Sequence, residues 1–297
     1  MKNIILLSEK SSGSSAFQNL LTKLTKVNSV EKTRHFQNET LYWTKAASIL
    51  KRPQIKMVDS EVPIESQKAR KDLVTMLQNN LKNYQLPKRD KDIIFDGWEL
   101  LCEKYSPIFI EKSPHHLCQW SSIELILECI ERKKNIDFLI VGLVRNPMDT
   151  IYSQYRNWKS NPKLVEAQWI IAYSNLLRLK KILKEKLFIV KYEEMVASVD
   201  NLNPILNFCK VKTELIDNNY LHQKALQKWK KDKFYGFKLS KEGCELAKKY
   251  GYLKEDLRNN TNILWPLIKT VSRINYLTYA PVKRQILKFK NALTAKN

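Results

Sequence analysis

Phe138-Leu139-Ile140-Val141-Gly142-Leu143-Val144 constrains the fold of this chain more than any other segment. It carries no polar side chain, so an extended strand here must be covered on both faces, as in a parallel sheet packed between helices. Shorter apolar runs at 4–7, 108–110 and 187–190 predict further strands. Apolar residues at helical spacing predict helices at 16–24, 121–132, 147–158, 165–183 and 242–250. Strands that alternate with helices in this way imply an α/β domain with a mostly parallel sheet. Ligands of such domains sit at the carboxyl ends of the strands.

Two segments stand apart. Residues 51–105 are charged, rich in Gln and Asn and weakly periodic, so a helical insertion and candidate lid is expected there. Residues 257–297 hold eight Lys and Arg and no acidic residue, with Leu264, Trp265, Ile268, Val271 and Ile274 among their apolar positions. A basic amphipathic helix is expected. By default it packs on the domain formed by residues 1–256; a second subunit or a membrane surface is the alternative.

The first predicted strand runs into Ser8-Glu9-Lys10-Ser11-Ser12-Gly13-Ser14-Ser15 and then a helix, the layout of a phosphate-binding loop. The small residues Ser11, Ser12, Gly13, Ser14 and Ser15 let backbone N–H groups approach an anion, and the helix N-terminus adds unpaired donors. Lys10 adds positive charge. Because Lys10 precedes Gly13, the order is not the GxxxxGK[ST] of ATP-binding loops. A serine-rich helix cap with no ligand accounts for the loop equally well.

A second element, Val144-Arg145-Asn146-Pro147-Met148-Asp149-Thr150-Ile151-Tyr152-Ser153, follows the strongest strand. Pro147 suits the first turn of a helix, where its missing N–H costs nothing. Arg145 lies just before that helix and Ser153 two turns into it, so both can converge on one phosphate. A guanidinium forks onto phosphate oxygens better than an ammonium does. An Arg-Asn-Pro turn with a capping Asp is the ordinary alternative.

Together, in this order, the two elements resemble the nucleotide-binding motifs of sulfotransferases that use 3′-phosphoadenosine-5′-phosphosulfate (PAPS), in particular bacterial and glycan-type members. The first is similar to their 5′-phosphosulfate loop, a strand followed by Lys or Arg and then Ser/Gly-Gly-Thr/Ser. The second is similar to their 3′-phosphate motif, Arg-(Asn/Asp)-Pro-x-Asp with Ser eight residues after the Arg. Phe188-Ile189-Val190-Lys191-Tyr192-Glu193 looks like the strand and Tyr-Glu pair that follow. Lys228-Trp229-Lys230-Lys231-Asp232, Phe237-Lys238-Leu239-Ser240 and Tyr250-Gly251-Tyr252 resemble the C-terminal region of bacterial members. The resemblance covers residues 4 to 252 in patches, leaving out 51–105 and 257–297. It implies a P-loop-like three-layer α/β domain with a helical insertion and a basic helical tail. It also implies nucleotide contacts from the first loop, Arg145, Ser153, Tyr192, Lys228, Trp229, Lys230 and Lys231.

Sulfuryl transfer parallels phosphoryl transfer, an in-line displacement that needs a cation at the leaving oxygen and a base for the acceptor hydroxyl. A monoanionic sulfuryl group demands no metal, and none is expected. The resemblance assigns Lys10 to the leaving group. Lys112, in Glu111-Lys112-Ser113-Pro114-His115-His116, resembles the lysine of the Glu-Lys-(Thr/Ser)-Pro element in glycan sulfotransferases. Their base is a Glu beyond the first helix, which points to Glu39, with His35 as its neighbour. Cytosolic members use a His just after the second lysine, which points instead to His115, with His116 the weaker of that pair.

The formal charge of +22, from 52 Lys and Arg against 30 Asp and Glu, attracts polyanions of any kind. An acidic glycan or glycolipid acceptor is the favoured partner, and no nucleic-acid motif is present. Five scattered cysteines form no CxxC pair, so neither a zinc site nor a disulfide framework is indicated. The apolar run at the N-terminus is too short for a signal peptide, and no stretch is long enough for a transmembrane helix. A cytoplasmic enzyme is expected, with peripheral contact to the inner face of the membrane through the tail. A nucleotide-dependent kinase and a non-catalytic polyanion-binding module are the alternatives.

Overall fold

The computed structural model describes residues 1–24, 26–33, 35, 38–211 and 226–294, with helical residues 24, 280 and 282–294 described by their backbone only. Phe36 and Gln37, beside the candidate base Glu39, therefore lie outside the described residues. So do the side chains of Lys283, Arg284, Lys288 and Lys290, and all of Lys296.

Along the chain the elements are β1 (Lys2–Ser8), α1 (Ser14–Leu24), β2 (Val27–Asn28), α2 (Tyr42–Ile49), α3 (Ser66–Asn80), α4 (Asp90–Lys104), β3 (Ile108–Lys112), α5 (Trp120–Arg132) and β4 (Asp137–Val144). They continue with α6 (Pro147–Trp158), α7 (Pro162–Leu183), β5 (Leu187–Lys191), α8 (Tyr192–Ala197), α9 (Asn203–Cys209), α10 (Lys241–Lys249), α11 (Lys254–Leu257) and α12 (Trp265–Thr294). The strands form one sheet in the order β2-β3-β1-β4-β5, with every pairing parallel. The two-residue β2 is too short to show a period and was not legible in the sequence.

Alternate residues of β1 enter opposite cores. Ile4 and Leu6 pack with α1, α8 and α9, while Ile5 and Leu7 pack with α2, α5 and α7. This is the three-layer arrangement, and it explains why the runs 4–7 of β1 and 138–144 of β4 lack polar residues. Gly142 marks where α7 presses on β4, since a Cβ there would stand 2.6 Å from Leu176 Cδ1. The register pairs Leu6 with Lys112, Ser8 with Leu143 and Val144 with Lys191, so four strands end along one edge of the sheet.

Residues 51–105 carry α3 and α4, whose apolar faces (Leu73, Leu77, Ile94, Trp98, Leu101) belong to the larger core. Trp98 lies 4.7 Å from Trp43, 4.8 Å from Tyr42 and 5.4 Å from Phe109, ring centre to ring centre. These helices are thus part of the layer over one sheet face, and only the loop before α3 reaches the strand ends. The tail packs on the domain at its start: Trp265 is buried against Tyr155 and Tyr235. No helix among the described residues is long and apolar enough to cross a membrane.

If α4 is core rather than lid, Trp98→Ala should cost about 3–5 kcal/mol of stability. Chemical denaturation of the two proteins measures this, and a cost below 1 kcal/mol or so would mean the segment packs loosely.

Candidate active site

A cleft of about 690 Å³ opens over the strand ends. Its floor is the first loop: Lys10, Ser11, Gly13, Ser14 and Ser15 all line it. The sharp turn needs Gly13, with φ +93°, and a Cβ there would sit 2.2 Å from the Tyr192 ring. Ser12 is the exception in the loop. Its hydroxyl turns inward to Tyr173 Oη at 2.9 Å, so it braces the loop and does not line the cleft. The ammonium of Lys10 donates to the Val58 carbonyl in the loop before α3 and lies 5.9 Å from the centre of the Trp158 ring.

Glu9, inside the same loop, was not picked out from the sequence. It is fully buried and accepts from Gln168 Nε2 at 2.5 Å, Cys118 Sγ at 2.9 Å and Gln154 Nε2 at 3.2 Å. Burial pushes its carboxyl above the usual range, against the pull of Lys10 and these three donors. Through them α6, α7 and the turn before α5 hold the loop in place. An acidic residue next to the loop lysine was the available signal.

In the second element Pro147 starts a helix, as its sequence predicts. Asn146 caps α6 by accepting from Met148 N at 2.8 Å, with Pro147 in the first turn. Arg145 directly follows β4, and its Nη1 donates to Ser11 O at 2.9 Å, linking the two elements. Its guanidinium lies 4.6 Å above the Tyr192 ring. Tyr192 is buried and buttresses both elements without lining the cleft. Glu193 beside it accepts from Asn146 N at 2.9 Å and from Tyr252 Oη at 2.8 Å.

Arg145 and Ser153 also line an adjoining hollow of about 750 Å³, together with Arg156, Lys228, Lys231 and Lys233. Lys230 is exposed and lines neither space. Trp229 is fully buried, packed with Met148 and Ile151, so the nucleotide contact implied for it is not made by its indole. It anchors the basic turn instead. The main chain before that turn is held by Asp149, which accepts from Gln227 N at 2.8 Å. Burial raises the Asp149 carboxyl to about 6 despite Arg145 nearby.

Opposite the loops, the candidate bases converge. Lys112 Nζ donates to Glu39 Oε1 at 3.2 Å and to Ser15 Oγ at 3.3 Å, and Glu39 Oε2 lies 4.0 Å from His115 Nδ1. Burial lifts the Glu39 carboxyl above its ordinary range, with Lys112 opposing. Burial, with Lys10 adding to it, holds His115 well below the usual imidazole range, so the ring is neutral near pH 7. His115 Nδ1 is buried on the cleft wall and has no hydrogen-bond partner among the described residues. His35 lines the cleft further out, 3.7 Å from Glu61.

His116 faces away, between Thr44 and Glu111, and Glu111 Oε1 also accepts from Thr40 at 2.6 Å and Ser113 at 2.5 Å. Burial alone would raise Glu111, but His116 and the two hydroxyls together hold it below the ordinary carboxylate range. This network fixes Thr40 and so the main chain next to Glu39. Arg273 and Tyr276 of α12 complete the cleft, with Arg273 bonded to Trp158 O at 2.7 Å and to Asp59 Oδ1 at 2.9 Å. The sequence marked Arg273 only as one basic residue of the tail. Among the described residues no three His, Cys, Asp or Glu side chains are placed to hold a metal.

A loop of small residues after one strand, an arginine and a serine after the next, and a basic rim thus surround one cleft at the strand ends. The sulfotransferase family profile matches residues 3–214, and the chain belongs to that family. The sulfotransferase domain of the Synechococcus PCC 7002 olefin synthase shares its fold, with a TM-score of 0.56 at 19% identity over 85% of this chain and 95% of that one. No curated protein sequence matches this one significantly.

Removing the Glu9 carboxylate leaves buried amide donors without their acceptor, at roughly 1–3 kcal/mol for each unsatisfied group. Glu9→Ala should therefore lower the thermal midpoint clearly. A midpoint equal to wild type would contradict the anchoring role.

Proposed function

We propose that this sulfotransferase takes its sulfuryl group from PAPS and passes it to a hydroxyl or amine of a saccharide or glycolipid acceptor. The observation that carries the donor is the bond from Arg145 to Ser11, which sets two anion-binding elements side by side in one cleft. The residues fit such a donor: small loop residues line one end, Arg145 and Ser153 the middle, and Lys228 and Lys231 the adjoining rim. PAPS supplies the activated sulfuryl group. The first loop orients its 5′ end, and Arg145 and Ser153 hold the 3′-phosphate. Lys10 leaves Val58 and turns to the leaving oxygen, where an ammonium stabilises charge that grows during transfer. Glu39 takes the acceptor proton, held in place by Lys112 and the Thr40–Glu111 network, with His115 alongside. The basic cleft favours an anionic saccharide over a neutral acceptor.

Arg145→Ala should chiefly weaken binding of the product PAP, by about 1.5–3 kcal/mol, since its contact exists in ground and transition states alike. Lys10→Ala should chiefly lower kcat. Calorimetry and steady-state kinetics separate the two, and equal PAP binding by wild type and Arg145→Ala would remove the nucleotide assignment.

For the base, Glu39→Gln should cut turnover by roughly 10²–10⁴ with PAP affinity unchanged, and His115→Ala should be mild. The base form of Glu39 is the carboxylate, so activity falls as pH drops through its pKa. That pKa is raised, which places the acid limb above the 4.5 of an ordinary glutamate. A neutral His115 with a lowered pKa would put its limb below 6.5. Burial thus moves the two limbs toward each other, so the position of the acid limb does not by itself separate the two bases. The mutants decide: a severe His115→Ala with a mild Glu39→Gln would transfer the role to the histidine.

A further inference from the structure

Helix α12 carries apolar residues on both its sides. Trp265, Ile268, Ser272, Arg273 and Tyr276 are its buried or half-buried side, turned to the domain. Leu264, Leu267, Val271 and Ile274, at i, i+3, i+7 and i+10, form a stripe on the other side and remain 61%, 64%, 47% and 58% exposed. A surface helix normally keeps its outer side polar. Leu277, 56% exposed, continues the stripe to the cleft mouth, where it and Tyr276 line the cavity.

We propose that this face of α12 docks on an anionic lipid surface. Charge selects the occupant. From residue 257 to the end the sequence has eight basic residues and no acidic one, within a chain of net charge +22. A second copy would bring two such helices together and set like charges against each other, with no carboxylate in either segment to offset them. An anionic bilayer takes up the apolar stripe and attracts the basic residues at once, the combination that holds amphipathic helices at membrane interfaces. Docking in this way sets the mouth of the cleft against the headgroups, so a lipid-anchored acceptor would reach Glu39 from the bilayer. That last consequence rests on the proposed sulfuryl transfer; the docking does not.

The test is co-sedimentation of the full chain with vesicles of phosphatidylcholine alone and of phosphatidylcholine with phosphatidylglycerol. Binding is expected to the anionic vesicles only, and to weaken as salt rises. Leu267→Ser/Val271→Ser/Ile274→Ser should reduce that binding roughly tenfold or more. PAP titration of the variant should match wild type, which separates failure of docking from failure of the nucleotide site. Absence of anionic preference in the wild type would overturn the proposal, as would a PAP-competent variant that still binds as well. A wild-type dimer that ignores vesicles and becomes monomeric in the variant would assign the stripe to a second copy instead.

Discussion

The site depends on one contact, the stack of Arg145 on Tyr192 with Gly13 pressed against the same ring. Tyr192 starts α8 at the end of β5, Arg145 follows β4 and Gly13 follows β1, so a single ring sets the distance between two anion-binding elements. The bond from Arg145 to Ser11 closes the arrangement. With neighbouring parallel strands in fixed register, the two loops cannot drift apart without breaking the sheet or the stack. The Tyr-Glu pair therefore serves the site as a brace: tyrosine under the arginine, glutamate on the main chain of Asn146.

Two buried carboxylates give the rest of the frame its rigidity, and they do so differently. Glu9 is surrounded by amide and thiol donors, and burial leaves its carboxyl easier to protonate than usual. Glu111 faces His116 and two hydroxyls, which outweigh burial and favour its charged form. One fixes the loop that carries Lys10; the other fixes the chain that carries Glu39. Buried polar groups cost stability unless every partner is in place, so each network ties its side of the cleft to one geometry.

Much of this was legible in the sequence, because strands covered on both faces must be apolar and phosphate loops need small residues at strand ends. The strands flanking the site and the proline-started α6 follow from such local rules, whereas the meeting of Lys112 with Glu39 and His115, offered by the sequence as alternative bases, does not. What the sequence could not display depends on contacts between distant segments. The charged surface of α3 and α4 hides their buried stripe, so residues 51–105 read as an insertion although Trp98 sits in the core. Trp229, read as a nucleotide contact, is an anchor because burial of an indole is decided by α6 and not by its basic neighbours. Arg273 reaches the cleft from more than a hundred residues beyond Ser153, where no spacing rule applies.

The central claim is that one cleft binds both ends of a 3′,5′-bisphosphorylated adenosine. Calorimetric titration of the wild-type chain with PAP and with ATP, both without magnesium, tests it most directly. The two ligands differ at the 3′-phosphate that Arg145 and Ser153 are assigned to hold. PAP should bind in the micromolar range or tighter and ATP much more weakly. ATP binding as tight as PAP, or PAP failing to bind at all, would contradict it.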